Sequence, residues 1–339
     1  MADANTPKAD GFFMPPEWAR HERAWMMWPS RTEVWSDIEA TRKNYRDVAH
    51  AIRRFEPMTM VVRSEDAKAA ADVLGADIDL LESPINDSWC RDAGPCFLVD
   101  DKGNRAGVSF SFNAWGGKYA PFDGDNAVAG DILRAADVPM YSSNLIAEGG
   151  GLSVDGEGTL LTTRTCFPNA NRNPNWSEAQ IENELKAMLG VDKVIWLPGN
   201  PLETETDGHV DCIATFVAPG KILSVAEGSA ANPFQAHNRA NLEALQGQTD
   251  AKGRAIEIVT IPDAETAQSD IERFCRSYVN SFIVNGGVIM PSYGIAEDAF
   301  VRETWEAIYP NREITIVPID AIAEGGGGIH CITQQEPAA

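Results

Sequence analysis

The string Ile146-Ala-Glu-Gly-Gly-Gly151 reappears as Ile322-Ala-Glu-Gly-Gly-Gly327. Two copies of one short string point to a longer repeat, and reading outward from them shows its plan. A polar residue heads an apolar run, a tight turn follows, and a second apolar run comes next. Glu148 precedes Leu152-Ser-Val, the turn Asp155-Gly-Glu-Gly158 and Thr159-Leu-Leu. Asp92 precedes Cys96-Phe-Leu-Val, Asp100-Asp-Lys-Gly103 and Val108-Ser-Phe. Asp211 precedes Cys212-Ile-Ala-Thr-Phe-Val217, Pro219-Gly220 and Ile222-Leu-Ser-Val225, and Asn280 precedes Phe282-Ile-Val, Asn285-Gly-Gly287 and Val288-Ile-Met. Apolar runs around Asx/Gly turns predict β-hairpins. Cys331 heads a fifth, shorter run, which the Trp25-Met-Met-Trp28 strand is expected to complete.

Helical spacing predicts helices between the hairpins, over residues 36–55 with Ser36 as N-cap, 123–136, 177–189, 264–277 and 297–308. Ser177 and Gln180 make a capping-box pattern. A hairpin plus a helix buries little core alone, but such units packed around an axis bury one together, with their strand starts converging at one end. Asp92, Glu148, Asp211, Asn280 and Cys331 are expected to meet there. The expectation is one α/β domain over residues 12–339, after a loose leader over residues 1–11.

The chain has 339 residues, 44 % hydrophobic and 23 % charged, a globular balance. No run of ~18 apolar residues predicts a membrane span, and residues 1–11 lack the apolar core of a secretory signal, so a cytoplasmic location is expected. A net charge of −22 repels phosphate backbones and argues against nucleic-acid binding. It suits either a solvated surface or the steering of a cationic substrate. Cys90, Cys96, Cys166, Cys212, Cys275 and Cys331 are scattered with no CxxC, which predicts reduced thiols.

His209-Val-Asp211 is expected on a strand with both polar side chains on one face. That pattern suits a solvent-facing edge strand, a metal site or an acid/base pair. No HExxH or paired Cys/His spacing supports a metal, so none is expected. Four glycines, Gly325 to Gly328, lead into His330-Cys331 and allow close backbone approach. His330 is expected to point away from the Cys331 face, leaving His209 as proton-transfer partner. Asp92 and Asp211 suit the paired N–H groups of a planar guanidinium, and a bound cation favours the Cys331 thiolate. Attack on the guanidinium carbon, protonation of ammonia by His209 and hydrolysis of the amidino-cysteine follow as chemistry. Glu148 would orient and charge His209, and Asn280 would position substrate or nucleophile.

At this point the chain resembles the agmatine deiminase family of the guanidino-group-modifying, or pentein, superfamily. The resemblance is carried by Asn86-Asp-Ser-Trp-Cys-Arg-Asp-Ala-Gly-Pro95, Phe112-Asn-Ala-Trp-Gly-Gly117, Glu148-Gly-Gly, Val194-Ile-Trp-Leu-Pro198, Gly208-His-Val-Asp211, Tyr278-Val-Asn280 and Ile329-His-Cys-Ile-Thr-Gln-Gln335. It implies a fivefold α/β propeller and cofactor-free hydrolysis of agmatine, often by a homodimer. It also implies Cys331 as nucleophile, His209 as acid/base with Glu148 as its partner, Asp92 and Asp211 as guanidinium ligands, and Trp89 and Trp115 as pocket lining. The chain departs from the family pattern at Glu205, where an aspartate associated with agmatine binding is usual, at Gly328, at Phe122 and at Leu223-Ser-Val-Ala-Glu-Gly228. These departures concern the substrate's tail. Asp211-Cys212 and Tyr278-Val-Asn-Ser281 are also similar to bacterial peptidylarginine deiminases, so other guanidines stay open as substrates. A non-catalytic guanidinium-binding protein is the alternative of another class. Glu203, Glu205 and Asp207, with no basic residue among them, lead us to expect an amine-bearing tail, unless Arg172 or Arg239 folds into the pocket.

Overall fold

The computed structural model describes residues 6–339. In chain order the elements are β1 (His21–Met27), α1 (Ile38–Arg53), β2 (Met58–Val62), α2 (Ala67–Leu74), β3 (Asp79–Glu82), β4 (Cys96–Val99), β5 (Arg105–Ser111), α3 (Asp123–Ala135) and β6 (Met140–Ile146). There follow β7 (Ser153–Val154), β8 (Thr159–Thr163), α4 (Glu178–Leu189), β9 (Lys193–Leu197), β10 (Ala214–Ala218), β11 (Lys221–Val225), α5 (Gln235–Leu245) and β12 (Glu257–Ile261). The last are β13 (Phe282–Val284), β14 (Gly287–Ser292), α6 (Glu297–Ile308), β15 (Glu313–Pro318) and β16 (Thr333–Pro337).

The expected hairpins form, and each gains a third strand. β4 pairs antiparallel with β5 across the Asp100 turn, α3 crosses over, and β6 returns parallel to β5. The same plan repeats as β7-β8-β9, β10-β11-β12 and β13-β14-β15. A parallel return needs a crossover connection, which is the role of the helix in every unit. The fifth sheet runs β16-β1-β2-β3. Its hairpin is cut open: β16 from the end of the chain lies antiparallel to β1 from its beginning. The two ends of the chain thus join in one sheet and complete a fivefold α/β propeller. Trp25, Met26, Met27 and Trp28 are all buried in that sheet.

Helix predictions hold where caps and an apolar stripe agree. α4 carries the reciprocal Ser177–Gln180 capping box. α1 buries Tyr45, Val48 and Ile52, but its N-cap is Asp37, whose carboxylate accepts Glu39 N and Ala40 N at 3.0 Å each; Ser36 lies outside the helix. Residues 264–277 are not helical. Their backbone groups are used across the chain instead, Ala264 N donating to Arg276 O at 2.8 Å and Cys275 N to Ala323 O at 2.9 Å. The segment folds back as a loop that buries Ala264, Ala267, Phe274 and Cys275. At the N-terminus, residues 6–11 form a turn where a loose leader was expected, and residues 1–5 lie outside the described ones. Lys8 anchors that turn through its ammonium to Val191 O and Asp192 Oδ1, at 2.6 Å each. Among the described residues, no helix is long and apolar enough to cross a membrane.

Candidate active site

Short turns at the mouths of the sheets deliver the site. Asp92 lies on the helical turn Cys90–Ala93, Glu148 precedes the turn Gly149–Gly151, and His209 precedes the turn Val210–Cys212 that carries Asp211. His209-Val-Asp211 is therefore not a strand, contrary to expectation, because β10 begins only at Ala214. Cys331 stands in the turn before β16, and Asn280 just before β13. All six side chains are buried.

Cys331 Sγ accepts a hydrogen bond from Asn280 Nδ2 at 3.1 Å and donates to Asp211 Oδ2 at 3.6 Å. Asn280 Oδ1 accepts Cys331 N at 3.2 Å, so one amide grips both the backbone and the thiol of the same residue. A Cβ at Gly328 would stand 2.6 Å from that amide oxygen, which is why the chain can enter the turn here without a side chain. The Cys212 contact favours the Cys331 thiolate. Burial and the fields of Asp211 and Asp92 outweigh it and hold the thiol above the ordinary cysteine range.

His209 lies between two acids, its Nδ1 3.6 Å from Asp92 Oδ1 and its Nε2 3.6 Å from Glu148 Oε2. Burial disfavours its cation, yet Asp92, Cys166 and Glu148 together hold its pKa well above the usual histidine value. Among the described residues, neither ring nitrogen has a hydrogen-bond partner, nor does Asp211 Oδ1, although all three are buried. Buried polar atoms are normally paired, so these three await something that both donates and accepts. Asp92 accepts Gly150 N at 3.0 Å and Trp115 Nε1 at 2.9 Å. Gly150 must be glycine, since a Cβ there would meet His209 Nδ1 at 2.5 Å and Asp92 Oδ1 at 2.7 Å.

Asp92 and Cys331 open onto a cleft of about 420 Å³, walled by Trp89, Trp115, Tyr119, Glu205, Arg273 and the loop of glycines 325–327. Of the three acids before His209, only Glu205 lines it. Glu203 is spent on the N–H groups of Glu205 and Gly208, at 2.7 and 2.9 Å. Asp207 pairs with Lys118 at 2.7 Å and with Arg172. The basic residue that reaches the cleft is neither Arg172 nor Arg239, the two named from the sequence. Arg273 lines the cleft, although its Nε is committed to Glu324 O at 2.9 Å and its Nη2 to Val34 O at 2.5 Å. Arg172 and Arg239 stay out of the cleft: Arg239 pairs with Glu227 at 2.9 Å, and buried Arg172 holds Glu148 Oε1 at 2.9 Å.

Among the described residues, two trios offer metal donors within 4.8 Å of one another, Glu148 with Cys166 and His209, and Asp211 with Cys212 and Cys331. In each, the carboxylate already has a cationic partner, Arg172 for Glu148 and His330 for Asp211. A metal ion would have to displace or oppose that partner.

A family profile described as Porphyromonas-type peptidyl-arginine deiminase matches residues 13–337. The chain belongs to that family. It is 42 % identical to the agmatine deiminase of Stutzerimonas stutzeri over 359 residues, covering 98 % of each chain. Its identity to the agmatine deiminase of Pseudomonas fluorescens is 40 % over 361 residues, again covering 98 % of each. Among solved structures it is similar to the agmatine deiminase of Enterococcus faecalis, with a TM-score of 0.95, 36 % identity and 98 % of both chains covered. For this family member, sequence reasoning passed over Tyr119, Arg273, Arg91 and Glu17, and set His330 aside. His330 could have been found, since it adjoins Cys331; Glu17 has no local signal at all.

Proposed function

We propose that this protein is an agmatine deiminase, hydrolysing agmatine and water to N-carbamoylputrescine and ammonia, with residues 12–339 as one catalytic domain. The observation that carries the reading is the convergence of one thiol, two guanidinium-sized acceptors and a histidine bracketed by acids: Cys331, Asp92, Asp211 and His209. The likeness to agmatine deiminases over nearly the whole chain supports it.

Asp92 and Asp211 receive the guanidinium, whose charge offsets the two fields that hold the Cys331 thiol protonated, and the thiol gives up its proton to solvent through the cleft. The thiolate forms a bond to the guanidinium carbon, and the C=N π electrons move to nitrogen. His209, kept cationic by its acidic neighbours, gives its proton to the departing nitrogen, and the C–N bond breaks to release ammonia. The neutral imidazole then takes a proton from water. The resulting hydroxide adds to the amidino carbon, the C–S bond breaks as the hydroxyl proton passes to the departing sulfur, and the ureido product leaves. Glu148, itself held by Arg172, stabilises the imidazolium before and after. Asn280 Nδ2 steadies the sulfur, and Trp89 and Trp115 wall the cleft. Glu205 is the group we assign to the substrate's amine. The reaction feeds putrescine formation, and we place it in the cytoplasm; a homodimer is the assembly to check by light scattering.

The test is ammonia release from agmatine, followed by acid quench and mass analysis of the Cys331 peptide. An amidino adduct on Cys331, and no turnover by Cys331→Ala, are expected. Turnover by Cys331→Ala, or an adduct on another cysteine, would sink the mechanism.

A further inference from the structure

Behind the guanidinium ligands, buried His330 and the partly buried Glu17 extend a line of charges that the mechanism above does not use. Asp211 Oδ2 accepts His330 Nδ1 at 2.8 Å, and His330 Nε2 stands 2.9 Å from Glu17 Oε2. The other Glu17 oxygen accepts Ile283 N at 2.7 Å, so both oxygens of that carboxylate are fixed. The line borders a second cavity of about 360 Å³, which shares no lining residue with the substrate cleft. Asp211 is the link between the two, touching Cys331 on one side and His330 on the other.

The pairing decides the state of the histidine. A carboxylate only accepts hydrogen bonds, and each His330 nitrogen faces one, so both nitrogens donate and the ring is an imidazolium. We propose that Glu17 and His330 are positioning residues, which hold the Asp211 carboxylate ionised and turned so that Oδ1 faces the substrate guanidinium. The orphaned state of Asp211 Oδ1 fits this, since Oδ2 is occupied and Oδ1 alone is free. The groups facing His330 are Asp211, Glu17 and Arg91; the last stands 4.0 Å from Glu17 Oε2 and donates its Nε to His330 O at 3.3 Å. Asp211 in turn faces His330, His209, Arg91, Cys212, Cys331 and the like-charged Asp92. Burial and Arg91 disfavour the His330 cation, but Glu17 and Asp211 prevail and raise its pKa. Burial likewise opposes ionisation of Asp211, and His330, His209 and Arg91 reverse it. Neither positioning residue touches the reacting atoms.

The inference rests on the agmatine reading, because it makes a guanidinium the partner of Asp211 Oδ1. Glu17→Gln keeps the shape of the side chain and removes the charge that makes His330 cationic. In ligand-free wild type at neutral pH, ¹⁵N NMR is expected to show both His330 nitrogens protonated, and in Glu17→Gln only one. With agmatine, Glu17→Gln is expected to raise KM about tenfold, to lower kcat by less, and to move the acid limb of kcat/KM up by about one pH unit, one unit of pKa being tenfold. Glu17→Asp restores part of both. A neutral His330 in the wild type overturns the proposal, as does a folded Glu17→Gln with wild-type KM and acid limb. Loss of kcat alone with an unmoved limb also overturns it, since it marks a merely structural role. If wild type fails to turn over agmatine, the agmatine reading falls on its own, and the NMR comparison still decides the state of His330.

Discussion

Glu205→Gln isolates the recognition of the substrate's far end from the chemistry at its guanidinium. Glu205 Oε2 accepts the Tyr119 hydroxyl at 2.6 Å, and Tyr119 is 3.3 Å from Arg273 Nη1. Burial and Glu205 push the Tyr119 pKa up to about 12, so the phenol stays protonated and donates to the carboxylate. That leaves Oε1 for an ammonium. A hydrogen bond to a charged group contributes ~1.5–3 kcal/mol, and the lower end applies because Glu205 is only half-buried and solvent screens it. About 1.4 kcal/mol is a factor of ten, so Glu205→Gln should lower kcat/KM for agmatine about tenfold. Butylguanidine has the same guanidinium and no amine, and should lose almost nothing. Ammonia release measured for both substrates with both enzymes gives a two-by-two cycle whose cross-ratio is the amine–Glu205 coupling. Equal losses for the two substrates would refute the assignment, because the mutation would then act on the fold or on the guanidinium end. Arginine or guanidinobutyrate as the best substrate would refute the wider claim that the tail site selects a cation, and would point to Arg273 as a carboxylate ligand.

Asp211→Asn removes one guanidinium partner and should lower kcat/KM by about 10- to 100-fold, chiefly through KM, a loss of ~1.5–3 kcal/mol; steady-state kinetics decide it, and an unchanged KM would reassign the residue. Arg172→Met leaves Glu148 buried without its cation and should cost ~3–5 kcal/mol of stability, seen as a lower midpoint in urea; an unshifted midpoint would show that Glu148 is neutral. Glu148 is depressed, with burial opposing and Arg172 and His209 prevailing, and Asp211 is depressed by His330 against burial. Unfolded carboxylates bind protons near pH 4, whereas these folded ones do so only lower. Their stabilisation is therefore present above about pH 4 and is lost as pH falls through the folded values, so Glu148→Gln should flatten the acid side of a urea-midpoint profile. The raised His209 pKa keeps its acid form through neutral pH, so the alkaline limb of kcat should lie above the ordinary histidine value near 6.5; a limb at that value would mean the bracketing acids do not act on it.

What the sequence disclosed, and what it hid, divides by distance along the chain. The hairpins were legible because Asx/Gly turns such as Asp100-Asp-Lys-Gly103 and Asn285-Gly-Gly287 are written locally. The third strands were not. β12 and β15 have half-exposed edge patterns, and only the parallel register with β11 and β14 makes them strands. Residues 264–277 have helix-like spacing, yet distant backbone partners override it. Within the site, Cys331, His209, Asp92, Glu148 and Asp211 were legible because each heads a repeat or sits in a marked motif. The second layer joins residues far apart, His330 and Glu17 being separated by 313 positions, and only the closing of β16 on β1 brings them together.

That second layer explains how one cluster can hold so many buried acids. Glu148 has Arg172 and Asp211 has His330, whereas Asp92 has only the His209 ring that it shares with Glu148, and burial with Asp211 and Glu148 beside it raises its pKa. The pairing is incomplete by design of geometry: Asp211 Oδ1 and both His209 nitrogens remain unbonded, and the Cys331 thiol is held protonated by the acids beside it. A planar cation with several N–H groups donates to the free Asp211 Oδ1, offsets the acids' field and so favours the thiolate in the same event. A neutral urea does not, since it brings no charge to offset Asp92 and Asp211. On the mechanism we propose, the nucleophile is thus formed by the substrate and extinguished by the product. Departure of the ureido group restores the acids' field, the thiol takes back its proton, and the hydrolysis runs forward without a standing thiolate in the resting enzyme.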